Sequence, residues 1–151
     1  MSSPREQNKK NLKTEKRGIK ILKSLLKGFV VPTIDEKKYL YNLLNIDYKT
    51  YYRSIDGVLL KNNKNINSIK SVEDFYLIEI KTTEKKSVKE LPYNVFFGIT
   101  KNEENLFKKI KNYRLCIVHV ILKDYKLLTY EEYDSLVQNK RIQYQVNFKK
   151  K

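Results

Sequence analysis

The chain reads as one mixed α/β domain, a central mixed β-sheet flanked by helices, and three observations predict it. Residues 75–81, Phe-Tyr-Leu-Ile-Glu-Ile-Lys, are almost wholly apolar and rich in β-branched and aromatic side chains. A half-exposed strand alternates apolar with polar residues, so this run predicts a strand covered on both faces. Thr-x-x-Glu capping boxes at Thr33–Glu36, Thr100–Glu103 and Thr129–Glu132 announce helices between apolar runs. The length of 151 residues suits one core and is short for two, so residues 1–151 are expected to form a single domain.

Taken in order, Ser3 is an N-cap candidate followed by Pro4, which predicts a helix from the start of the chain towards Lys27, stopped at Gly28. Ile19, Leu22, Leu25 and Leu26 mark its apolar face, and Lys13, Lys16, Arg17 and Lys20 a basic one. The Thr33 box opens a helix through Leu44. Residues 51–60 predict a strand interrupted at Asp56-Gly57, where a glycine permits a bulge or bend. A polar loop containing Lys64 leads to the 75–81 strand, and a basic segment containing Thr82, Lys85 and Lys86 follows it. Residues 96–100 predict a third strand, the Thr100 box a helix through Ile110, and residues 113–122 a central strand. The remainder is a small C-terminal α/β extension: a strand at 126–129, a helix to about Val137, and an alternating strand at 141–148 with Ile142, Tyr144, Val146 and Phe148 on one face.

The chemistry centres on Glu79 and Lys81. Alternate strand residues share a face, so these two point one way while Ile78 and Ile80 point the other. Two ionisable groups at the end of a buried strand cost desolvation energy unless they pair, hold a metal or reach a wet cleft. With Asp56 delivered from the preceding strand, they make a cluster of two acids and an amine. Hard carboxylate oxygens suit Mg²⁺, and the ammonium suits a developing phosphate charge. Glu103 reads first as a helix-starter. His119, on the face of Leu115 and Ile117, reads as a hydrogen-bonded core residue, since one His and one Cys cannot make a zinc site.

The Asp56-Gly57 element followed by Glu79-Ile80-Lys81 resembles the PD-(D/E)XK, or restriction-endonuclease-like, nuclease superfamily. Ile55 stands where the motif's name places proline. The likeness extends through the 96–100 run, Asn102-Glu103 and the 113–120 run, covering roughly residues 50–122. It implies a restriction-endonuclease-like core and Mg²⁺-dependent hydrolysis of DNA phosphodiester bonds, with Mn²⁺ as a substitute. It also implies that Asp56, Glu79 and the Ile80 backbone carbonyl hold the metal, that Lys81 positions the attacking water, and that Glu15 of the first helix adds to the metal site.

Composition agrees with a polyanionic partner. Against 17 Asp and Glu the chain carries 32 Lys and Arg, a formal charge of +15. Lys13, Lys16, Arg17, Lys20, Lys64, Thr82, Lys85 and Lys86 are the expected nucleic-acid contacts. No run reaches the length and apolarity of a membrane span or a secretory signal, and a lone Cys116 excludes an internal disulfide, so a cytoplasmic setting is expected. One active site cuts one strand, so coordinated double-strand cleavage needs a homodimer or two sequential nicks. Three alternatives stay open: a binding module on the same fold without cleavage, a nuclease resembling Holliday-junction resolvases, and a structural ion pair between Glu79 and Lys81.

Overall fold

The computed structural model describes residues 4–62, 65–144 and 146–151. Its centre is a five-stranded sheet with strands in chain order, β1 (Phe29–Val30), β2 (Gly57–Leu60), β3 (Phe75–Thr83), β4 (Tyr113–His119) and β5 (Asp124–Leu128). Only β3 and β4 run parallel; the other neighbours are antiparallel, so the sheet is mixed. Parallel neighbours need a crossover, and here it carries α4 (Lys101–Lys109).

The strand predicted at 75–81 is covered on both faces. On one side Ile78 and Ile80 join Leu22, Phe29, Cys116 and Val118 beneath α1 (Pro4–Leu25). On the other, Phe75 and Leu77 join Leu40, Tyr41, Leu106, Phe107, Leu115 and Tyr133 beneath α2 (Ile34–Leu43), α4 and α5 (Tyr130–Leu136). All three predicted capping boxes close, each threonine accepting from the backbone N–H three residues on and each glutamate reaching back to the cap N–H. The Ser3 cap lies outside the described residues.

Three predicted strands require correction. Residues 51–53 are not strand: Asp47 caps a short helix, α3 (Tyr48–Tyr51), and the strand begins only at Gly57. Residues 96–100 have no regular structure, because β2 and β4 occupy both edges of β3, and Phe96 is left 77% exposed. Of 141–148, the described residues lie outside the sheet, with Ile142, Tyr144, Val146 and Phe148 all exposed; Gln145 is outside the description. Alternation signals a strand only where an edge is there to receive it. Strand β4 also stops short of Leu122. His119 Nδ1 accepts from the Ile121 and Leu122 N–H groups and turns the chain, while Nε2 lies 3.0 Å from the Lys85 carbonyl oxygen. That is the hydrogen-bonded core histidine expected. Among the described residues, no helix is long and apolar enough to cross a membrane.

Two glycines set the approach of elements around β3. In α1, a Cβ on Gly18 would lie 2.8 Å from Thr82 Cγ2 and 3.4 Å from Ile80 Cγ2, so only glycine lets the helix sit this close to the strand. Gly57 does not mark a bend. It pairs in register with Ile78, and its missing side chain makes room for the Phe29 ring, whose Cε2 would lie 2.4 Å from an added Cβ. Gly57→Ala is therefore expected to cost about 1–3 kcal/mol by overpacking. Adding Phe29→Leu should recover part of that loss in urea unfolding, and strict additivity of the two changes would refute the contact.

Candidate active site

Five ionisable side chains from four elements meet beside the C-terminal half of β3. Glu79 and Lys81 come from the strand itself, Asp56 from the residue before β2, Glu15 from α1 and Glu103 from the first turn of α4. Four are brought together as the sequence predicts. Glu103 is the addition.

Local structure accounts for each position. The Asp56 N–H donates to the Ile78 carbonyl, and Asp56 Oδ2 accepts from the Ile80 N–H at 2.8 Å, so the side chain extends the β2–β3 ladder one step past its end. Two buried tyrosines hold the segment that delivers it: Tyr41 donates to the Tyr51 carbonyl at 2.7 Å and Tyr113 to the Ser54 carbonyl at 2.6 Å. Glu15 lies three residues before Gly18, on the same face of α1, and hydrogen-bonds with Asp56. Glu103 serves twice. Its Oε1 accepts from the Thr100 N–H at 2.9 Å, completing the cap, and from Lys81 Nζ, also at 2.9 Å. Lys81 Nζ also lies 3.4 Å from Glu79 Oε1. The capping box is a complete explanation of Glu103 at the sequence level, which is why it conceals the second role.

Electrostatics divides the acids. Glu79 is 4% exposed, and burial, followed by the Asp56 and Glu103 charges, pushes its pKa up to about 11. Glu15 is raised to about 7, first by its hydrogen bond with Asp56 and then by burial. Burial opposes the charge of Glu103, but its hydrogen bond with Glu79 and the Lys81 ammonium outweigh that and hold it below the usual range. Burial likewise works to discharge Lys81, yet Glu79 and Glu103 keep its pKa above the ordinary value. The metal-free cluster is therefore two proton-sharing carboxyl pairs, Glu15 with Asp56 and Glu79 with Glu103, beside a firmly charged ammonium. One atom has no place in this scheme: Glu79 Oε2 is buried and without a hydrogen-bond partner.

Among the described residues, no three His, Cys, Asp or Glu side chains close around a common point as a metal cage would. The pairs fit an ion that needs fewer protein ligands. Mg²⁺ is bound through one or two carboxylates, with water and phosphate filling the other positions, and the orphaned Glu79 oxygen is a hard donor of the required kind. Ile80 turns its backbone N–H to Asp56, and in a strand the carbonyl of the same residue faces the same way.

Lys37 of α2 is a second cation near the cluster, and no motif predicts it. It is half-buried, donates to the Tyr52 carbonyl at 2.8 Å and feels the Asp56 and Glu79 charges; burial, the largest influence, lowers its pKa. The predicted nucleic-acid contacts scatter around the site. Lys13, Lys16, Arg17 and Lys20 are exposed at helical spacing on α1, turned away from the sheet-facing stripe of Glu15, Gly18 and Leu22. Arg17 pairs with Glu84 across 3.8 Å. Lys85 and Lys86 are exposed on the segment after β3, whereas Thr82 is half-buried under Gly18. Lys64 lies outside the described residues.

No protein-family model, curated protein or solved structure matches the chain.

Proposed function

We propose that the protein is a metal-dependent endonuclease that hydrolyses DNA phosphodiester bonds, on a restriction-endonuclease-like core. The observation that carries this reading is the fully buried, partnerless Glu79 Oε2 among four carboxyls and one lysine. A structural network would satisfy every member, because an unmet buried oxygen costs about 1–3 kcal/mol. An unmet oxygen at the end of a strand, in a basic chain, is an arrangement that a cation completes.

A Mg²⁺ ion, or Mn²⁺ in its place, held by Asp56 and Glu79 with Glu15 beside them and the Ile80 carbonyl as the resemblance implies, would supply Lewis-acid polarisation of a phosphodiester. The chain's own residues do the rest. Asp56 is aimed by the Ile80 N–H and cannot swing away. Lys81 is held charged by Glu79 and Glu103, so it acts as a donor that orients an attacking water or offsets phosphate charge, and not as a base. Four acids repel a polyanion, and the surrounding lysines with their long reach offset that repulsion at distance. The alternative of a structural ion network draws on the direct bond from Lys81 to Glu103, and it predicts a protein indifferent to metal.

The test is cleavage of plasmid, branched and single-stranded DNA with Mg²⁺ or Mn²⁺, beside melting curves. Mn²⁺ should raise the melting temperature in a concentration-dependent way, since it binds the folded state selectively. Affinity for DNA should fall with salt at about 0.9 log units per phosphate contacted for each tenfold rise in concentration. A protein inactive on every substrate, with a melting temperature unmoved by Mn²⁺, overturns the proposal.

A further inference from the structure

Next to the acidic cluster lies a pocket of about 370 Å³ with the opposite character. Its walls come from two segments that both lead into the site: residues 50–54, just before Asp56, and Thr100–Asn102, just before Glu103. Arg53 and Lys101 are exposed at its mouth, and neither makes an ion pair among the described residues. The N-terminus of α4 opens onto it. Thr100 Oγ1 takes the Glu103 N–H, which leaves the N–H groups of Lys101 and Asn102 without an acceptor. Asn102 itself is held by its side chain, which donates to the Thr50 carbonyl at 3.2 Å.

The independent observation is Ser54. It is 3% exposed, and its carbonyl is taken by Tyr113, but its hydroxyl has no hydrogen-bond partner among the described residues. Its side chain lines the pocket. A buried hydroxyl with nothing to bond is costly unless a ligand or water meets it. Two cations, two free amides and one free hydroxyl are all donors, and donors converging on a helix N-terminus define an anion site. Glu103 in the first turn does not cancel this, because its carboxylate is committed to Lys81 and to the Thr100 N–H.

We propose that this pocket binds a non-scissile phosphate of the nucleic-acid backbone and so places the strand across Glu79 and Lys81. The assignment rests on the nuclease reading, with the pocket fixing where the strand lies. Bound phosphate would hold residues 50–54 against α4, and those two segments carry Asp56 and Glu103.

Two measurements without divalent metal test it. The first titrates inorganic phosphate into the ¹⁵N-labelled full chain. Saturable shifts at the Ser54, Lys101 and Asn102 amides are expected, and their loss in Arg53→Gln/Lys101→Gln. The second measures binding of a fluorescent DNA duplex in EDTA. The same double variant should weaken binding about tenfold and reduce the salt dependence by about one phosphate, whereas Ser54→Ala should weaken it a few-fold with the salt slope unchanged. Absence of shifts at Lys101 and Asn102 overturns the proposal. So does phosphate binding combined with undiminished DNA affinity in the double variant, which would make it a pocket for free phosphate only. Neither measurement involves cleavage. An inactive protein that passes both loses the nuclease reading alone, and an active one that fails either loses only this pocket.

Discussion

Glu79→Gln is expected to stabilise the metal-free protein at pH 7 by about 3 kcal/mol while abolishing cleavage and the Mn²⁺ response. The carboxyl's pKa is raised from an ordinary 4.5 to about 11 by burial and by the neighbouring acids. An acid whose folded-state pKa lies above its unfolded value contributes fully below the unfolded value, and that contribution is lost as pH rises towards the folded one. Between pH 4.5 and pH 7 the folded chain must keep a proton that the unfolded chain has released, at about 1.4 kcal/mol per pH unit. Glutamine has nearly the same shape, can still donate to Glu103 and carries no such penalty. Urea unfolding in EDTA should therefore show the two proteins nearly equal near pH 4.5, with the variant's advantage widening at pH 7 and pH 8. A structural ion pair gives the reverse sign, because losing an ionised, paired Glu79 would cost about 3–5 kcal/mol. A variant less stable than wild type at every pH would defeat the functional account.

Lys81→Met is expected to cut cleavage by about 10²–10³-fold, the scale of one lost electrostatic donor in a water-poor site, with DNA affinity in Ca²⁺ changed less than about twofold. It also strands the Glu103 carboxylate, which lies 2.9 Å from the ammonium, so metal-free stability should fall by about 3 kcal/mol. Lys81→Met/Glu103→Gln separates the two consequences. Removing the stranded charge should restore most of the stability and none of the activity. If the double variant regained cleavage along with stability, Lys81 would be a scaffold residue and Glu103 merely its partner.

Much of this arrangement is legible along the chain because its causes are local. Capping boxes at Thr33, Thr100 and Thr129 require only residues three apart, and each forms as written. The 75–81 run cannot leave either face wet, so it becomes the central strand, and alternation then puts Glu79 and Lys81 on one side. Sequence order also brings Asp56 forward as the acid nearest in chain to that strand. What the sequence cannot contain is whether an edge is free to receive an alternating run. Residues 96–100 and 141–148 look like strands and are not, since β3 already has two neighbours and the described part of the second run is paired to none.

The candidate site shows the same division. Asp56, Glu79 and Lys81 are determined by the sequence as a set of chemical groups, but the ångström-scale grouping comes from packing. Gly18 brings α1 onto Ile80 and Thr82, and that approach carries Glu15 to Asp56. The β3–α4–β4 crossover lays the first turn of α4 against Lys81 and turns a helix cap into a charge partner. Lys37 and Ser54 have no sequence signal, because a half-buried lysine and an unbonded buried hydroxyl are properties of a folded surface and not of any spacing. Residue type and periodicity follow from chain-local stereochemistry, which the sequence by itself determines. Desolvation, and with it the raised pKa of Glu79, depends on which elements exclude water from one point, and only the tertiary structure decides that.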